Sequence, residues 1–166
     1  MMAAVAWMYR SPVYRGVVPG VLRLFGPVHV GLYRLFRGRV VGRMSQGFMP
    51  LLLLTTVGRK SGRQRTQPVG YVRDGSDFLI VGSNGALTSD PGWVFNLRAR
   101  PEAEIELNGT RMHVRARVLA GNERVRAWHE VASQYSFFNV YQSATSRAIP
   151  VVRLDVAPPS TAAESV

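Results

Sequence analysis

Apolar residues recur in two different rhythms along this 166-residue chain, and the change comes near residue 50. Before it, Val21, Phe25, Val28, Leu32 and Leu35 fall at helical spacing, with Arg23, Arg34, Arg37 and Arg39 around them. This predicts a basic amphipathic segment that Pro27 divides into two short helices. After it, the run Leu51–Leu54 leading to Val57 predicts a strand buried on both faces, and Gln67–Arg73 predicts a second. An Asp74-Gly75 turn then leads into a strand at Asp77–Gly82. Pro91–Arg100 predicts a short helix with Asp90 as N-cap and Pro91 at the first helical position.

The strongest register signal follows. Glu102–Leu107 and Thr110–Leu119 flank Asn108-Gly109, the preferred pair for a two-residue type I′ hairpin turn. That turn sets Glu106 opposite Arg111, Glu104 opposite His113 and Glu102 opposite Arg115, so the acidic stripe is structural rather than a catalytic carboxylate pair. Asn122–Tyr135 predicts a helix with Val125, Trp128, Val131, Ala132 and Tyr135 on its apolar side. An aromatic segment, Tyr135–Tyr141, and a last strand at Ile149–Val156 complete the pattern. Short strands with hairpin signals and a few helices predict a mainly β domain with α elements, built as a small antiparallel barrel. The expected organisation is an N-terminal extension over 1–48, a barrel over 49–156 and a disordered tail over 157–166.

Charge sharpens this picture through its distribution. The formal net charge is +11, and the first acidic residue is Asp74. Residues 1–73 hold eleven arginines and Lys60 with no carboxylate, 12 − 0 = +12; residues 74–166 hold nine arginines against ten carboxylates, 9 − 10 = −1. A one-sided field of this kind predicts an anionic partner. Lys60, the only lysine, sits in the densest basic cluster, Thr55-Thr56-Val57-Gly58-Arg59-Lys60-Ser61-Gly62-Arg63-Gln64-Arg65, where a glycine-flanked loop leaves the leucine strand. Nucleic acid is disfavoured as the partner, because the basic half lacks a repeated aromatic and basic face. The uncharged run Met44–Gly58, which contains the leucine strand, is too short to span a bilayer, which needs about 20 residues. The expected location is therefore the cytoplasm, with the N-terminal segment either packing over one end of the core or, through residues 1–45, lying on the anionic inner face of the membrane.

The chain has no cysteine, and His29, His113 and His129 have no metal-ligand spacing, so no metal site is expected. Nucleophile-elbow, Walker A and dinucleotide-binding fingerprints are absent. What remains is an inventory for binding anions and donating hydrogen bonds, and a transfer activity would need a cofactor for its hard chemistry.

Three ordered segments carry a resemblance. Leu51–Thr55 through Gly58-Arg59-Lys60-Ser61-Gly62, Asp90-Pro91-Gly92-Trp93-Val94-Phe95-Asn96-Leu97 followed by Pro101, and Tyr135…Tyr141-Gln142-Ser143…Arg147-x-Ile149-Pro150 resemble the motifs of the deazaflavin-dependent nitroreductase family, over roughly residues 50–155. The resemblance implies a split β-barrel of the FMN-binding type that binds coenzyme F420, whose phosphate and oligoglutamate tail are anionic. FMN is the weaker alternative. It implies hydride transfer to a quinone, a nitroaromatic or another lipophilic activated acceptor, by a monomer or homodimer.

By the same resemblance, Arg59, Lys60, Ser61 and Arg65 would meet the phosphate and tail. Thr66, Gln67, Pro68 and Val69, with Val81, Gly82, Ser83 and Asn84, would border the ring, while Gly92, Trp93 and Asn96 would close the site from the helix. Ser83, Tyr135 and Tyr141 are the expected hydrogen-bond or proton donors, and Tyr135, Phe138 and Tyr141 the expected acceptor pocket. Two departures stand out. Phe138 replaces a tyrosine of the nitroreductase pattern, and Asn84 stands where a lysine often follows the serine. The lost phenol disfavours nitroimidazole activation and favours a quinone or other lipophilic acceptor.

Overall fold

The leucine run forms β1 (Leu51–Val57), as expected, and Leu52, Leu53 and Leu54 are completely buried. A computed structural model describes residues 49–156 together with Ser11, Pro12, Tyr14, Val30 and Gly31. The expected helices over 1–48 and the tail at 157–166 otherwise lie outside the described residues. The remaining strands are β2 (Gln64–Asp74), β3 (Asp77–Val81), β4 (Glu102–Leu107), β5 (Thr110–Val118) and β6 (Val151–Val156). They close into a barrel in the order β1-β2-β3-β6-β5-β4, every neighbouring pair antiparallel, with β1–β4 as the closing seam.

Alternation divides the apolar side chains between two cores. Leu52, Leu54, Phe78, Ile80, Ile105 and Leu154 point into the barrel, which Trp93, Val94 and Leu97 plug from α1 (Gly92–Ala99). Val72, Leu79, Val81 and Val151 point outward and pack under α2 (Gly121–Gln134) and α3 (Phe137–Ala144) through Ala127, Val131 and Phe138.

The hairpin has the register its turn dictates: Glu102, Glu104 and Glu106 pair with Arg115, His113 and Arg111. Asn108 (φ 53°) and Gly109 (φ 84°) both adopt the left-handed backbone that a type I′ turn requires. Glu106 is nevertheless buried, because the closing seam sets it against Leu53.

Other expectations need correction. β2 starts three residues early, because Gln64, Arg65 and Thr66 ladder onto Val57, Thr56 and Thr55, with a 2.8 Å hydroxyl contact between Thr55 and Thr66. Pro91, not Asp90, is the N-cap of α1, since both Asp90 carboxylate oxygens are engaged by arginines: Arg98 at 2.7 Å and Arg147 at 2.8 Å. Val125 is 48% exposed, because α2 packs through Ala127 and Val131 while Arg124 lies over Trp128 on the neighbouring flank. The last strand starts at Val151, since the Ile149 N–H donates to the Gln142 side chain and the Pro150 carbonyl accepts from Gly82.

At the end of the barrel bearing the Asp74–Asp77 turn, Arg153 bridges Asp74, Asp77 and Asp155. Burial pushes the Asp77 carboxyl up, but the Val156 N–H and the Arg153 guanidinium together outweigh this and leave it below its ordinary 3.8. A group with a lowered folded pKa stabilises above its unfolded value, and that contribution is lost as pH falls through the folded one. Asp77→Asn is therefore expected to remove part of the acid limb of thermal stability below about pH 4. Melting curves of both proteins from neutral pH downward check this.

Candidate active site at one end of the barrel

Antiparallel order gathers the functional candidates at one end. The C-terminal ends of β1 and β3 lie beside the N-terminal ends of β2, β4 and β6, and α1 leads directly into β4. The turn after β1 is there, as are the segment after β3 and the residues that precede β6. The hairpin turns at Gly75 and Asn108-Gly109 occupy the other end.

The basic turn is Gly58–Arg63, held by two backbone bonds of 2.8 Å, Gly58 N–H to the Arg63 carbonyl and Gly62 N–H to the Gly58 carbonyl. Gly58 is required by close approach: a Cβ there would lie 2.7 Å from the Ser61 hydroxyl and 3.2 Å from the Arg63 carbonyl. Arg59, Lys60, Arg63 and Arg65 are exposed, and among the described residues none of them has a carboxylate partner. Among the described residues, the arginines that form ion pairs are Arg98, Arg111, Arg115, Arg117, Arg147 and Arg153. Cations gathered on one turn without carboxylate partners among the described residues suit a phosphate or carboxylate, where charge-assisted bonds are about twice as strong as neutral ones.

Helix α1 supports this turn from below. The Asn96 side chain is buried; its Oδ1 accepts from the Arg59 N–H at 3.1 Å and its Nδ2 donates to Thr56 Oγ1 at 3.0 Å. The Arg59 guanidinium lies 4.8 Å over the Phe95 ring, a cation–π contact that sets the direction of the side chain. Asn96 thus positions the turn, and its amide is already occupied by protein groups. Asn96→Leu leaves the Arg59 N–H and the Thr56 hydroxyl unpaired, which costs about 1–2 kcal/mol. The expected result is a melting point lower by a few degrees, read by calorimetry.

The other candidates divide by burial. Arg65, Thr66, Gln67, Pro68 and Val69 run down β2, with Val69 in the barrel core. Trp93 and Val81 are core residues, one inside the barrel and one in the outer cluster, so neither presents much surface to a ligand. Gly92 is exposed at the start of α1. Gly82 follows β3, and its N–H donates to the Pro150 carbonyl at 2.9 Å. Ser83 is half-buried and begins a 3-10 turn, Asn84–Ala86; among the described residues its hydroxyl has no protein partner.

Helix α3 packs against that turn and brings its aromatic residues to the same end. Tyr135 and Tyr141 are half-buried around Phe137, at ring separations of 6.1 and 5.6 Å. Phe138, expected in the pocket, is only 5% exposed and packs edge-on to Trp128 in the outer core. Its neighbour Phe137 is the exposed one, at 41%.

The sequence reading assigned no role to Arg147, Gln142, Thr56 or Phe95. Arg147 sits beside Asp90, and burial pushes its guanidinium below the ordinary value, an effect that Asp90 offsets only in part. The signal was present in Asp90, a carboxylate whose second partner, besides Arg98, lies 57 residues along the chain.

Residues 27–155 match the family model for F420H(2)-dependent quinone reductase. The chain belongs to that family. An F420H(2)-dependent quinone reductase of Mycobacterium tuberculosis (strain ATCC 25618 / H37Rv) is 39% identical over 130 residues, covering 76% of this chain and 87% of the relative. The solved structure of an F420-H2 dependent reductase, FDR-A, aligns with TM-score 0.59 at 33% identity, over 64% of this chain and 94% of that one. A domain-swapped dimer aligns with the same TM-score at 29% identity, over 73% and 97%. The chain is thus a split-barrel reductase that depends on coenzyme F420, as its motifs implied. The family match begins at residue 27, inside the segment set apart as an extension. Among the described residues of the reductase, no helix is long and apolar enough to cross a membrane and no cluster suits a metal ion.

Proposed function

We propose that the reductase binds the anionic phosphate and tail of F420 on the Gly58–Arg65 segment and passes hydride to a quinone-like lipophilic acceptor beside α3. The observation that carries this reading is the placement of four cations without carboxylate partners at the same end of the barrel as the exposed Phe137. The bound deazaflavin supplies the hydride. Arg59, Lys60 and Arg65 hold its charged part, with Arg59 aimed by Phe95 and Asn96. Gly82, Ser83 and Asn84 border the ring on one side, and Gln67 and Pro68 on the other.

An acceptor that takes hydride at one atom develops negative charge on its oxygen, and preorganised donors stabilise that charge. Ser83 and Tyr135 offer hydroxyls for this purpose, with Tyr141 beside them. Phe137 and the tyrosine rings provide an apolar face that excludes water and suits a flat lipophilic ring. Phe138 contributes packing rather than a phenol, which supports a quinone over a nitroimidazole. We further propose that residues 1–45 place the reductase on anionic membrane, where such acceptors are concentrated. A truncation lacking them should lose flotation with anionic liposomes while keeping cofactor binding; unchanged flotation would remove that part of the reading.

Anaerobic oxidation of F420H2 against menadione, a nitroaromatic and an enone tests the acceptor. The quinone should be consumed fastest, and preferential turnover of the nitroaromatic would overturn the assignment. Saturable binding of FMN without binding of F420, followed by tryptophan quenching, would overturn the cofactor site.

A further inference from the structure

Asn84, Gly85 and Ala86 have φ of 49°, 59° and 59°, three successive residues in the left-handed region. Two of them carry a Cβ, and such a conformation persists only where the surroundings enforce it. Asn84 is compensated locally, its side-chain amide donating to the Ser89 carbonyl at 3.0 Å. Ala86 is completely buried and has no side chain with which to compensate.

The enforcing group is Arg147. Its Nη2 donates to the carbonyls of Gly82 at 3.0 Å and Ser83 at 2.6 Å, ahead of the turn. Its Nε donates to the Leu87 carbonyl at 2.9 Å and its Nη1 to Asp90 at 2.8 Å, behind it. One planar guanidinium therefore ties both ends of the left-handed segment together, which the compact ammonium of lysine cannot do. Arg147 is itself fixed: Gln142 donates to its carbonyl at 2.8 Å, and the same amide accepts from the Ile149 N–H and from Arg124. On the remaining side, the Tyr14 hydroxyl occupies the space a Cβ on Gly85 would need, 2.9 Å away.

We infer that Arg147 is a positioning residue that holds the Ser83–Ala86 turn in the conformation the reductase site uses. The inference rests on the proposed placement of Gly82, Ser83 and Asn84 along the deazaflavin ring. It makes the turn the part of the site that relaxes when the fork of hydrogen bonds is lost. The tail-binding turn, held by Asn96 and Phe95, does not depend on it.

The test compares the full chain with Arg147→Lys and with Arg147→Lys combined with Ala86→Gly. Hydrogen exchange without cofactor reads the turn through the Ala86 and Leu87 amides, which bond to the Ser83 and Asn84 carbonyls. In Arg147→Lys these amides should exchange at least about tenfold faster while the barrel strands keep their protection. Single-turnover hydride transfer to menadione should fall roughly tenfold, with the F420 dissociation constant within about threefold of the parent. Ala86→Gly, which removes one left-handed Cβ, should recover part of both losses. Unchanged exchange at Ala86 and Leu87, or faster exchange with an unchanged hydride rate, would overturn the proposal. So would loss of protection throughout the barrel with no recovery by Ala86→Gly. A parent chain that oxidises no F420H2 would defeat the proposed function instead, and exchange alone would then judge the clamp.

Discussion

Reversing the two cations at the head of the basic turn, Arg59→Glu with Lys60→Glu, should weaken F420 binding by roughly two orders of magnitude at low salt, about 2–3 kcal/mol. The change replaces two attractive charges by two repulsive ones on a turn whose cations have no carboxylate partners among the described residues. The turn itself should persist, because its closure uses backbone atoms of Gly58, Gly62 and Arg63, and the Arg59 N–H still reaches Asn96. The loss should therefore appear in the dissociation constant and not in the melting point. At saturating cofactor the hydride-transfer rate should stay within about threefold of the parent, since uniform binding energy affects affinity rather than the chemical step. Salt should erode the parent's affinity and barely alter the variant's, because screening acts on the attraction that the variant has lost.

Gly82→Val should have the largest effect on stability among single changes at the site. A Cβ on Gly82 would lie 2.8 Å from the Pro150 ring and 2.9 Å from a Val94 methyl. Neither neighbour can swing away: Pro150 is cyclic and leads into β6, and Val94 is completely buried under the barrel. Overpacking of this kind costs about 3 kcal/mol, which for a chain of this size lowers the melting point by roughly 6–12 °C. The same substitution pushes apart β3 and α1, so the carbonyl that Arg147 holds moves with it. Calorimetry gives the stability effect, and a rate loss measured well below the lowered melting point separates misplacement of the turn from unfolding.

The parts of the fold that were legible in the sequence have local causes. The leucine run gave β1 to the residue, and Asn108-Gly109 set the register of a whole hairpin through two positive φ angles. The start of β2 was hidden because Gln64, Arg65 and Thr66 carry no apolar alternation; they are strand because β1 lies beside them. Asp90 read as a helix cap because its neighbours fit that role, whereas its partner Arg147 arrives from after α3. Phe138 was expected in the pocket from the family motif, whereas in α3 it is buried and its neighbour Phe137 is exposed, since consecutive residues on a helix differ by about 100° in direction. The site followed the same division. The basic turn and the helix behind it were visible as composition and motif, while the hydrogen bonds that hold them required the third dimension.

The central claim is that one end of this barrel holds F420 by its charged tail and delivers hydride to a quinone. Anaerobic rapid mixing of the full chain, loaded with F420H2, against menadione tests it most directly. Saturable reoxidation well above the uncatalysed rate is predicted, with the Arg59→Glu, Lys60→Glu chain matching it only at far higher cofactor concentration. Cofactor shown to be bound, but reoxidised no faster than in buffer, would contradict the account.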